Sequence, residues 1–218
     1  MPGLLRHNGL TLAMFVLFAL SLAGMTMAGI HNYNEDQQEH GQAAVGYGAY
    51  LTSGAFVEAI FENWESEFLQ MGLFVLLTVT LRQKGSPESK PIDGQEEVDR
   101  EPDPRRPGAP WPVRAGGLAS KLYARSLSIA LLGLFVVSFA LHVATGAAAY
   151  SEEQQAHGDP AVSALEYVVT PELWFESFQN WQSEFMSIAA LVVLSVFLRQ
   201  KGSSESKPVD AAMRETGS

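Results

Sequence analysis

The chain has 218 residues, no cysteine, 47% hydrophobic residues and a formal net charge of −10. That acidic balance, with no basic patch interleaved with aromatics, argues against nucleic acid as a partner, and the lack of cysteine excludes disulfides, thiol nucleophiles and thiolate metal sites. A mean hydropathy of +0.04 averages apolar blocks against very polar segments, which fits a bilayer-crossing chain better than a soluble domain.

The placement of charge is more informative than its total. All 14 Lys and Arg residues fall at Arg6, between Arg82 and Arg125, and between Arg199 and Arg214. The stretches His31–Leu81 and Ala149–Leu198 contain none, and hold seven carboxylates each. Basic flanks stay on the cytoplasmic side. Both chain ends and the central segment are therefore expected inside, with two acidic loops outside.

From the start, Met1–Gly9 leads into Leu10–Ile30, 21 uncharged residues, enough at ~1.5 Å per residue to cross a ~30 Å hydrocarbon core. A secretory signal peptide ending near Ala28 fits the same stretch. Leu127–Ala147 occupies the equivalent place 117 residues on, where no signal peptide acts, so a retained helix is expected. The first outer loop opens YNEDQQEHG (Tyr33–Gly41) and its counterpart YSEEQQAHG (Tyr150–Gly158). Gly54 and Pro171 mark the start of the next helix in each copy.

The strongest repeat follows. Phe61–Pro91 returns as Phe178–Pro208, identical at 19 of 31 positions without a gap. Each copy reads as an acidic, aromatic beginning, an apolar helix and a basic exit. Phe68–Leu81 offers only 14 uncharged residues, about 21 Å of helix, so the span must extend back through Trp64 and draw Glu67 to the membrane boundary. Glu184 sits the same way. Asn63, Glu67 and Gln70 share one helical face, as do Asn180, Glu184 and Ser187. Phe61, Trp64 and Phe68 lie on another, matched by Phe178, Trp181 and Phe185, and suit the interfacial belt.

The expected fold is all-α and integral to the membrane, with four transmembrane helices as two parallel tandem helical-hairpin repeats. Residues 1–91 form the first repeat, with helices about 10–30 and 61–82. Residues 92–120 read as a disordered cytoplasmic linker, 121–208 as the second repeat with helices about 127–148 and 178–199, and 209–218 as a disordered tail. Small residues Gly24 with Ala28 and Ala140 with Ala144 would let the first and third helices approach. In the exits, Arg82, Lys84, Arg199 and Lys201 are placed to hold anionic inner-leaflet lipid, Gly85 and Gly202 fit helix C-caps, and Trp111 fits a membrane-surface contact.

The combination of YNEDQQEHG, FENWESEFLQMG and LRQKGSPESKP with their second copies resembles a family of bacterial multi-pass membrane proteins built around a domain of unknown function. The resemblance covers most of both repeats. It implies an integral membrane protein of paired helices and carries no activity, cofactor or catalytic residue.

Candidate chemistry is sparse. Glu67 and Glu184, with Asn63 and Asn180, could form a paired carboxylate site for protons or cations, against the plainer reading of acids near a helix start. His40 and His157, with Glu35 and Glu152, offer imidazole and carboxylate ligands for a metal, but at no strong ligand spacing. Ser66 and Ser183 lack a nucleophile elbow. His142 is matched by Met25 in the first copy, so a role shared by both repeats is excluded, and it reads as a packed or helix-bonded imidazole. The sequence favours a non-enzymatic structural or interaction role with acidic outer loops. The alternatives are a small ion or proton carrier, or a membrane enzyme with an outer metal site. No cofactor is expected, the lipid bilayer is the expected partner, and homo-oligomerisation is left open.

Overall fold

The computed structural model describes residues 2–217, which contain no strand. Met1 and Ser218, the ends of the expected first repeat and tail, lie outside the described residues. The long helices are α1 (Pro2–Glu39), α3 (Gly54–Thr80), α6 (Ser126–Ala156) and α8 (Pro171–Phe197). Short helices α2 (Tyr47–Tyr50), α4 (Trp111–Ala115), α5 (Gly117–Tyr123) and α7 (Ala164–Tyr167) lie between them. Helices α3 and α8 start at Gly54 and Pro171, where breaker residues place them.

Among the described residues three helices, not the expected four, are long and apolar enough to cross a membrane: Leu5–Glu39 of α1, α6 and α8. The shortfall is in α3. Its first half carries Glu58, Glu62, Glu65 and Glu67, leaving the apolar part of the helix short. Helices α1 and α6 also run further than expected, through the acidic YNEDQQE and YSEEQQA stretches.

The chain divides into two compact units. Unit 1 comprises residues 1–61 and 141–170, and unit 2 residues 62–140 and 171–218.

In unit 1, local chemistry explains why the loops after α1 and α6 repeat. Gly41 (φ 73°) and Gly158 (φ 89°) take the left-handed conformation after α1 and α6. Gly41 N–H donates to the Gln38 carbonyl and Gln42 N–H to that of Gln37. Gly158 to Gln155 and Asp159 to Gln154 match them. This paired closure satisfies carbonyls that the helix end leaves open, and favours glycine at its left-handed position. Beyond it, Asn34 exchanges two hydrogen bonds with the Val45 backbone, at 2.7 and 3.0 Å. Ser151 does the same with Val162, at 2.9 and 3.1 Å.

Each loop then folds a tyrosine back onto its helix. Tyr50 stacks near Tyr33, and Tyr167 near Tyr150, both with ring centroids 5.6 Å apart. A side chain at Gly29 would strike the Tyr50 hydroxyl, and one at Gly146 the Tyr167 ring. The first tyrosine sits in an apolar cluster with Ile30, Phe56, Met25 and Leu22.

Unit 2 holds the basic exits. The ends of α3 and α8 are capped by arginine: Arg82 reaches the carbonyls of Val79 and Leu81 at 3.2 and 3.0 Å. Arg199 reaches Val196 and Leu198 at 3.1 and 2.8 Å. A cation at the carbonyl end of a helix also meets the favourable end of its dipole. Gly85 (φ 87°) and Gly202 (φ 86°) therefore are not C-caps. They lie five residues past the helices, each in a turn closed by Ser86 N–H to the Gln83 carbonyl or Ser203 N–H to that of Gln200. The ES serines close the motif, Ser89 Oγ accepting from Gln83 N–H at 2.8 Å and Ser206 Oγ from Gln200 N–H at 2.9 Å.

The segments expected as linker and tail carry structure of their own. Residues 92–120 hold a 3-10 turn at Glu97–Asp99 and helix α4. Lys90 bonds Asp99 at 2.5 Å, and that ammonium holds the Asp99 carboxyl below the usual carboxylate range. In the tail, buried Lys207 donates to the carbonyls of Ala212, Met213 and Glu215 at 3.2, 3.1 and 2.8 Å. Burial lowers its ammonium's pKa. Thr216 Oγ1 accepts from Gly85 N–H at 2.9 Å. A buried ammonium needs acceptors, and the tail supplies them.

Candidate functional site

The candidate site of unit 2 lies between α3 and α8. Glu65 has no exposed surface. Its Oε1 accepts from the Ser177 hydroxyl at 2.9 Å and from the Trp181 indole N–H at 3.2 Å. Ser177 is equally buried. One turn earlier on α3, Glu62 Oε1 accepts from the Asn180 amide. Helical spacing explains the alignment: residues three apart on α3 and three to four apart on α8 share a face. Aromatic rings close around the tryptophan, with Phe178 at 5.5 Å and Phe135 at 6.3 Å between centroids. A carboxylate taking two donors out of reach of water is strongly oriented, and it changes the charge of the site whenever it gains a proton or cation.

Of the residues singled out from sequence, Asn180 belongs to this network. Glu67 and Asn63 are exposed and Glu184 is half-buried. Asn180 joins the network through Glu62 rather than through Glu184. The burial falls at Glu65 because two residues along a helix turn ~200°, to nearly the opposite side. Ser66 and Ser183 donate to the carbonyls of Asn63 and Asn180, at 2.7 and 2.8 Å.

In unit 1, the His40 and His157 rings meet edge to face with centroids 5.6 Å apart. Each ring donates its Nδ1 proton to the carbonyl four residues back, Asp36 at 3.0 Å and Glu153 at 2.9 Å. The carboxylates considered with them turn elsewhere. Glu35 pairs with His31 at 3.3 Å, and Glu152 accepts from the Tyr33 hydroxyl at 3.3 Å.

Unit 1 holds a buried polar group in which His142, expected as a packed imidazole, is joined by Tyr167 and Glu58. His142 and Tyr167 are fully buried. The Tyr167 hydroxyl donates to Glu58 Oε1 at 3.2 Å, and a Glu58 carboxylate oxygen lies within 4.8 Å of a His142 ring nitrogen. Gly146 leaves room for them, since a Cβ there would come within 2.5 Å of Glu58 Oε1 and 2.6 Å of the Tyr167 ring.

Glu58, Glu62 and Glu65 escaped the sequence reading because that reading looked for agreement between the copies. At the 117-residue spacing their counterparts are Phe175, Gln179 and Gln182. The available signal was the disagreement, three acids spaced four and three apart that only one copy carries.

No curated protein and no solved structure matches the chain. A family model described as a domain of unknown function (DUF6766) matches residues 1–218, the whole chain. The protein belongs to that DUF6766 family.

Proposed function

We propose that this is a multi-pass, non-enzymatic protein of the bacterial inner membrane that carries protons or small monovalent cations through the Glu65 carboxylate. In this reading two tandem two-helix repeats cross the bilayer, α3 included, with both chain ends on the cytoplasmic side. Lys84 and Lys201, exposed beside the arginine caps, face anionic lipid there. The observation that carries the proposal is the complete burial of Glu65 against Ser177 and Trp181 of α8, itself apolar enough to span. A carboxylate in such surroundings is costly unless its charge serves a purpose, and Glu62 one turn away provides a second acceptor for the same ion.

The test is flux in proteoliposomes loaded with a pH-sensitive dye. Wild type should dissipate an imposed gradient, and Glu65→Gln should slow it at least tenfold with folding intact. Glu67→Gln with Glu184→Gln should change the rate less than threefold. Equal rates in wild type, Glu65→Gln and empty vesicles would end the carrier reading.

A structural role is the second reading, favoured by one observation. The repeated residues Gly41, Ser89, Arg82 and their copies all act in turns and caps. Under it, Glu65 only ties α3 to α8, and the vesicles show no flux.

A further inference from the structure

Duplication gives this chain an internal control. Both halves of unit 1 place a tyrosine over a helix glycine, Tyr50 over Gly29 and Tyr167 over Gly146. In the first half the neighbouring helix position is Met25, which packs in the apolar cluster beside Ile30 and Phe56. In the second it is His142, and a carboxylate from α3, Glu58, enters beside the tyrosine. Apolar packing thus suffices for this arrangement. The imidazole and carboxylate of the second half are therefore not required by packing, and they gather metal-ligating atoms that the first half lacks.

We propose that Glu58, His142 and Tyr167 form a site for one divalent first-row transition metal ion of the zinc or ferrous class. Imidazole nitrogen with carboxylate and phenol oxygen is a mixed donor set suited to those ions. Ligand atoms ~2.0–2.2 Å from a common ion stand about 3–4 Å apart. The 3.2 Å between Tyr167 and Glu58 falls in that range, and Glu58 and His142 offer ligand atoms within 4.8 Å of each other. The three side chains come from α3, α6 and α7, so the ion would tie the outer loop carrying α7 to two long helices. Gly146 keeps the space open.

The experiment uses the full-length protein in detergent. Metal content is measured as isolated, and again after incubation with Zn2+, Fe2+ or Mn2+ and desalting. About one ion per chain is expected with Zn2+ or Fe2+, together with a rise in melting temperature. His142→Met installs the residue that the first copy uses. It should lower the bound ion at least tenfold, while the metal-free melting temperature stays the same or rises. Glu58→Gln, which keeps an acceptor for Tyr167, provides the same readout should the methionine variant not fold. His40→Ala with His157→Ala removes the exposed imidazole pair and should leave the ion in place. Wild type without a stoichiometric ion under any of the three metals, retention of the ion by His142→Met or Glu58→Gln, or its loss from the His40/His157 variant would each overturn the proposal.

Discussion

Truncating Glu65 to alanine tests whether the carboxylate organises the packing of α3 against α8. The side chain is wholly buried, and the change removes the acceptor that the Ser177 hydroxyl and the Trp181 indole N–H use at 2.9 and 3.2 Å. Hydrogen bonds to a charged group are worth ~1.5–3 kcal/mol each. At the lower end, two lost bonds give about 3 kcal/mol before the missing methylenes are counted. Glutamine keeps a carbonyl oxygen for one or both donors and gives up only the charge assistance, a cost of ~1 kcal/mol. Interhelical polar contacts between membrane helices average nearer ~0.6 kcal/mol, so a gap of ~2 kcal/mol between the two variants is well above an ordinary contact. The assay is reversible unfolding in mixed micelles, followed by Trp fluorescence. If alanine and glutamine destabilise equally, or alanine costs under ~1 kcal/mol, the network is incidental to the packing.

Three further outcomes follow from the same geometry. Gly146→Ala places a methyl group 2.5 Å from Glu58 Oε1 and 2.6 Å from the Tyr167 ring, and should destabilise the protein by ~1–3 kcal/mol in the same unfolding assay. Glu88 titrates at about 7 rather than the ordinary 4.5, because burial, the hydrogen bond its protonated carboxyl donates to Glu205 and the Glu205 negative charge all favour its neutral form. The folded state therefore binds that proton more tightly than the unfolded chain, and stability should fall as pH rises from about 4.5 to about 7, then level off. Glu205→Gln should flatten this slope. The cysteine-free background allows the orientation to be read directly. Single cysteines at Asp36 and Glu153 should react with an impermeant maleimide on intact cells, and one at Asp103 only after lysis. The opposite pattern would invert the topology.

The repeat, the apolar blocks and the confinement of Lys and Arg to three segments are legible in the sequence because each rests on local composition. So are the helix starts at Gly54 and Pro171. The repeated GSxESKP motif is a turn latched by its own serines, with Arg82 and Arg199 capping the helices before it. Its reach is a few residues, yet only coordinates distinguish a serine that closes a turn from one that waits for a partner. The buried centres were harder still. Glu58, Glu62 and Glu65 look like any acidic stretch until partners more than 100 residues away are seen to reach them: Tyr167, Asn180, Ser177 and Trp181. Sequence periodicity settles which residues share a face of one helix. Which face is buried, and so which carboxylate is held by donors instead of water, depends on long-range packing that no local pattern encodes.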